Sequence, residues 1–196
     1  MWPNVPSAGR QVSPRKCERK RAHLPLVRPS CTRPPLGGLI SVMAMTFKDS
    51  GDVVLLQGAI DEFVDYIPLQ TRSGPLKLNL AGVTAINSHG MRAWINFLGS
   101  RRGAEIALYG CPPVFLDAVN LVPQVASADG SLQAIKSASM PYTCAHCARV
   151  SFYELLLRDL PVTAAGVGLP IKPCRTCSAK LEADVEAQDM LLFMTG

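Results

Sequence analysis

Two Cys-x-x-Cys pairs, Cys144-Ala145-His146-Cys147 and Cys174-Arg175-Thr176-Cys177, are separated by 26 residues. Each pair can present two thiolates from one tight turn, and four thiolates close a tetrahedral shell around Zn²⁺ at about 2.3 Å. The spacing predicts a four-cysteine zinc ribbon. Iron stays open beside zinc, because a tetrahedral four-sulfur shell suits both. Two disulfides would need an oxidising compartment, and a thioredoxin-type pair would leave the second Cys-x-x-Cys without a role. His146 could compete as a ligand, but four cysteines already fill the shell. A full shell has no open position for a hydrolytic water, so catalysis at this metal is not expected. Cys17, Cys31 and Cys111 have no partner pattern, and Cys111, ahead of Pro112-Pro113, is expected to pack as a small apolar residue.

The second chemical candidate is Ser88, in Ala81-Gly82-Val83-Thr84-Ala85-Ile86-Asn87-Ser88-His89-Gly90. A serine between a strand and a helix is a natural N-cap, a contact worth about 1 kcal/mol. The same corner can accommodate a phosphate through free N–H groups and the helix dipole. Phosphorylation there would add about −1.5 to −2 charges and disfavour a partner shaped for a neutral loop. A Ser88–His89 nucleophile pair is not expected: neighbouring side chains point apart and no Gly-x-Ser-x-Gly elbow surrounds them.

The elements around these residues alternate. Val53–Gln57 and Leu76–Leu80 read as strands, and Asp61 to about Gln70 reads as a helix with Ile60, Phe63, Val64 and Ile67 at helical spacing, ended or kinked by Pro68. Met91, Trp94, Ile95 and Leu98 fall at i, i+3, i+4 and i+7 of a helix stopped at Gly103. Glu105–Tyr109 is a further strand, and Pro112-Pro113 opens a helix to about Leu121. Such alternation predicts an α/β fold, a sheet with covering helices.

In that order, Gly58-Ala59-Ile60-Asp61, the strand Leu76–Leu80 and Gly82–Gly90 leading into Met91–Leu98 resemble the STAS family, which includes anti-sigma-factor antagonists and the cytoplasmic domains of sulphate transporters. The resemblance spans about residues 46–140. It implies a STAS-like fold in which Ser88 matches the reversibly phosphorylated Ser or Thr, and a partner that is an anti-sigma factor or kinase. Asn87 stands where that pattern has Asp, His89 where a small residue is usual, and Asn79 where the strand bears Asp.

Charge divides the chain. Residues 1–45 carry eight Lys/Arg and one Glu, whereas 46–140 and 141–196 each carry one more acid than base. The basic stretch also holds seven of the 16 prolines, which predicts a disordered extension, with Met43 or Met45 as an alternative start. Its basic cluster at 15–21 is not followed by the apolar run of a secretory signal, and no apolar run approaches the roughly 18 residues of a membrane span. A cytoplasmic location is therefore expected. In residues 141–196 the small segment needs a metal staple to hold its core. Within it, Val150 to Leu160 reads as a short helix and Ala164–Pro170 as a loop, whose Gly166-Val167-Gly168 is too weak a signal for phosphate binding. The apolar Met190–Met194 is expected to dock on the domain.

The expected organisation is thus a basic extension over 1–45, a STAS-like domain over 46–140 and a zinc ribbon over 141–196. The expected function is that of a non-catalytic regulatory adaptor. It binds a protein partner through the 82–98 corner, with Asn87, His89 and Gly90 shaping the loop and Ser88 as its phosphate switch. The alternative is a nucleic-acid module using the ribbon and the basic tail. It is disfavoured because the ribbon segment has no net positive charge.

Overall fold

A computed structural model describes residues 44–183 and 185–195. The basic extension, with Cys17 and Cys31, lies outside them except for Ala44 and Met45. Strands β1 (Thr46–Ser50), β2 (Val53–Ile60), β3 (Leu76–Ile86) and β4 (Ile106–Tyr109) form a sheet in that order, with β2, β3 and β4 mutually parallel and β1 antiparallel to β2. Helices α1 (Ile67–Gln70), α2 (Ser88–Ser100) and α3 (Pro113–Leu121) complete an α/β layer. Leu56, Leu78, Leu80 and Leu108 on the strands and Trp94, Phe97, Phe115 and Leu116 on the helices are buried. Tyr66 stacks on Phe97 at 4.9 Å, and Trp94 meets Phe115 edge-on at 5.9 Å and donates its indole N–H to the Val125 carbonyl at 2.8 Å. Burial pushes the Tyr66 phenol well above its ordinary pKa, with a smaller push from Asp61.

The expected helix over 61–70 shrinks to Ile67–Gln70. Two aspartates divert the chain: the Asp61 carboxylate accepts from Phe63 N at 3.0 Å and the Asp65 carboxylate from Ile67 N at 2.9 Å. Such local side-chain bonds compete with helical ones, and Pro68 brings no donor of its own. Phe63 and Ile67, expected on a buried face, stand in solvent. The segment that follows is held by Arg101, a buried side chain that donates to the carbonyls of Leu69, Gln70 and Arg72 and, at 2.7 Å, of Gly74.

Beyond α3 the chain returns alongside β4. Lys136 N donates to Leu108 O at 2.8 Å, Cys111 N to Ser137 O at 3.0 Å and Ser139 N to Cys111 O at 2.8 Å. Cys111 is fully buried, as its sequence context implied. From these bonds runs β5 (Ser137–Thr143), paired antiparallel with β6 (Val150–Leu156). The expected boundary at residues 140–141 falls inside β5.

Residues Val150–Leu156 are therefore strand where a helix was read. Val150, Phe152 and Leu156 stand exposed at alternate positions while Leu155 is buried, the two-residue period of a strand. The loop expected over 164–170 contains β8 (Gly166–Val167), paired with β7 (Val162–Thr163). Strands β9 (Lys172–Pro173) and β10 (Lys180–Leu181) make a last small hairpin, and α4 (Val185–Asp189) leads to the C-terminal turn. That turn docks as expected: Leu191 is buried, and Asn120 donates to the carbonyls of Asp189 and Met190 and accepts from Phe193 N, although Leu192 stays exposed.

Candidate functional site

The four cysteines predicted from spacing converge. Cys144 and Cys147 occupy the tip of the β5–β6 hairpin, and Cys174 and Cys177 the tip of β9–β10. Their four sulfurs lie within 4.8 Å of one another, with Cys144–Cys177 at 3.5 Å and Cys147–Cys174 at 3.7 Å. A tetrahedron with metal–sulfur bonds of about 2.3 Å has edges of about 3.8 Å, so the donor set fits a four-coordinate thiolate metal.

The two tips repeat one backbone design. Cys144 N donates to Arg149 O at 3.0 Å and Ala148 N to Cys144 O at 2.8 Å; at the same offsets Cys174 N donates to Ala179 O at 2.7 Å and Ser178 N to Cys174 O at 2.9 Å. Closing each turn places the residue after the second cysteine in the left-handed region, Ala148 at φ 54° and Ser178 at φ 59°. This conformation costs an L-residue roughly 1–2 kcal/mol.

The turns also aim N–H groups at sulfur. The Cys147 N–H, then that of His146, holds the Cys144 thiol below its ordinary range, and the N–H groups of Cys177 and Thr176 bring Cys174 down to about 6. At Cys177 the Ala179 N–H acts downward, but burial and the neighbouring sulfurs of Cys144, Cys174 and Cys147 win and push it up to about 12. Cys147 is raised in the same way against the Arg149 N–H. Each turn thus pairs one cysteine whose thiolate is favoured with one whose thiol is favoured, and a bound cation would displace the remaining protons.

Tyrosines brace the second tip against the first hairpin. Tyr142 donates to Pro170 O at 2.8 Å, Tyr153 donates to Pro173 O, and their rings meet edge-on at 5.4 Å. The Arg175 guanidinium lies 4.7 Å above the Tyr153 ring. His146 is exposed.

At the other candidate site, Ser88 is the first residue of α2 and is not its cap. Asn87 caps the helix, its Oδ1 accepting from Gly90 N at 2.7 Å while its Nδ2 donates to Glu62 at 2.7 Å. An amide serves both bonds at once, which a serine hydroxyl in the cap position could not match in reach. That second bond holds the Glu62 carboxyl below its ordinary range. Ser88 and His89 are exposed. Gly90 is buried against the end of β2: a Cβ there would sit 2.1 Å from Ile60 O and 2.6 Å from Asp61 Cα. Sequence reasoning named Asn87 as a loop-shaping residue and missed its cap role and its link to Glu62, which joins residues 25 positions apart.

No protein-family model matches the chain, and no curated protein matches it. Among the described residues, no helix is long and apolar enough to cross a membrane.

Proposed function

We propose that this chain is a non-catalytic regulatory adaptor of the STAS type that binds a protein partner at the β3–α2 corner and is braced by a structural zinc centre. The observation that carries the reading is Phe63, 84% exposed, in a loop fastened to that corner by the Glu62–Asn87 bond. A large apolar side chain held in solvent beside an exposed helix start is a ready contact for a partner, since burying such a side chain is worth roughly 1.5–3 kcal/mol. Resemblance of the 82–98 segment to anti-sigma-factor antagonists makes an anti-sigma factor or kinase the partner class, in the cytoplasm.

Ser88 supplies the switch. A phosphate on it would stand one residue from the Asn87 amide that holds Glu62, adding like charge to a corner that already carries a carboxylate. Both the added charge and any loosening of the 61–66 loop would disfavour the partner. Zinc, held by Cys144, Cys147, Cys174 and Cys177, would supply closure of the hairpin tips and no open coordination position.

The test is capture of partners from source cells by the full chain, comparing wild type, Ser88→Ala, Ser88→Asp and Phe63→Ala by mass spectrometry. The expected result is a protein retained by wild type and Ser88→Ala and lost from Ser88→Asp and Phe63→Ala. The same proteins in equal amounts from all four would remove the corner from consideration.

A further inference from the structure

We infer that the paired cysteine turns form a face that binds the phosphate backbone of nucleic acid. The average charge of residues 141–196 conceals a separation within it. Of its five Lys/Arg, four lie within three residues of a cysteine ligand: Arg149, Lys172, Arg175 and Lys180. None of its six acids does, the nearest being Glu182, five residues from Cys177. Because the fold brings all four sulfurs within 4.8 Å of one another, the two turns that carry these cations lie side by side. Three of them, Arg149, Arg175 and Lys180, are exposed, and Lys172 is half-buried.

A zinc ion on four thiolates carries a net charge of about −2, so part of this cluster neutralises the metal centre. Four cations exceed that need by about two charges, and no acid of either turn consumes the surplus. The chemistry at the face suits a polynucleotide. The Arg175 guanidinium is oriented by the Tyr153 ring beneath it, which leaves the edge of its donor fork free for a planar two-oxygen acceptor. The chain carries a second cationic reserve in residues 1–45, with eight Lys/Arg against one Glu. Four phosphate contacts on a single strand give log K against log salt a slope of roughly −2.8.

The experiment uses the zinc-loaded full chain and fluorescence anisotropy with a labelled 20-nucleotide single strand, the matching duplex, and polyglutamate of equal charge, across a salt series. Arg149→Glu/Lys180→Glu is compared with Lys48→Glu/Arg102→Glu, which changes net charge equally elsewhere on the surface; zinc content and circular dichroism confirm that both fold. The expected result is roughly tenfold or greater loss of oligonucleotide binding in the first variant, with a slope shallower by about 1.4, and retention in the second. Equal loss in both variants, or loss in neither, overturns the inference. Polyglutamate bound as tightly as the oligonucleotide also overturns it, in favour of an acidic protein.

Discussion

Alanine at Gly90 and alanine at Gly99 should move stability in opposite directions, although both glycines lie in the same helix. Glycine in a helix interior costs about 1 kcal/mol relative to alanine, so propensity alone makes both substitutions stabilising. At Gly99 nothing among the described residues lies within 4 Å of the added Cβ, and a gain of up to about 1 kcal/mol is expected. At Gly90 the Cβ would meet Ile60 O at 2.1 Å, Ile60 C at 2.4 Å and Asp61 Cα at 2.6 Å. All three are backbone atoms of the β2 terminus, so no side chain can turn aside and the start of α2 must back away by roughly 1 Å. Such overpacking costs roughly 1–3 kcal/mol. The shift also lengthens the Asn87–Gly90 cap bond, 2.7 Å in the native helix, whose loss costs about 1 kcal/mol. Set against the propensity gain, the net loss at Gly90 is about 1–3 kcal/mol. The assay is urea denaturation of each variant at fixed zinc concentration, followed by the fluorescence of Trp94 on the same helix. A Gly90→Ala protein as stable as wild type would refute the close-approach argument, and with it the placement of α2 against β2.

Three further outcomes are expected. Removing the metal with a chelator, or replacing Cys144 and Cys174 by serine, should collapse protection of the β5–β6 and β9–β10 amides in hydrogen exchange, and metal analysis of the native protein should give one zinc per chain. Ala148→Gly and Ser178→Gly should each stabilise the loaded protein by roughly 0.5–1 kcal/mol, because glycine adopts positive φ without a Cβ penalty; unchanged denaturation midpoints would count against strain at the tips. By NMR titration, Glu62 should ionise below its ordinary range and move back toward it in Asn87→Ala. Its folded pKa is depressed, so its contribution to stability is present above the unfolded pKa and fades as pH falls through the folded one.

The order of strands and helices was readable because each apolar set obeys a clear period: Trp94 and Leu98 on α2, the alternation Leu76–Leu78–Leu80 on β3. The cysteine tips were readable because the ligand set is local within each pair, and only the join between pairs needed the fold. What escaped was decided by contacts distant in sequence or by competing local bonds. Segment 61–66 has helical spacing, yet its aspartates bond to nearby N–H groups and leave Phe63 outside. The run Val150–Leu156 supports a strand or a helix equally in periodicity, and its pairing with Ser137–Thr143 settles the matter. Ser88 looked like the cap because serine caps well, but Asn87 reaches both Gly90 and Glu62. Regional charge counts hid the cationic tips by averaging them with acids of β6 and the C-terminal helix.

Among the described residues, Arg101 fastens residues 69–74 through carbonyl oxygens, with no carboxylate among its partners. Carbonyls carry no net charge and this guanidinium is buried, so dissolved ions have little to screen. The neighbouring exposed pairs, Arg72 with Asp49 and Lys77 with Asp52, are of the opposite kind, and at 1 M salt, where the Debye length is about 3 Å, they lose most of their attraction. In brine the outer strand of the sheet gives up its electrostatic ties while the crossover beside it keeps its hold, making the fold's tolerance of ionic strength a property of where its arginines look for partners.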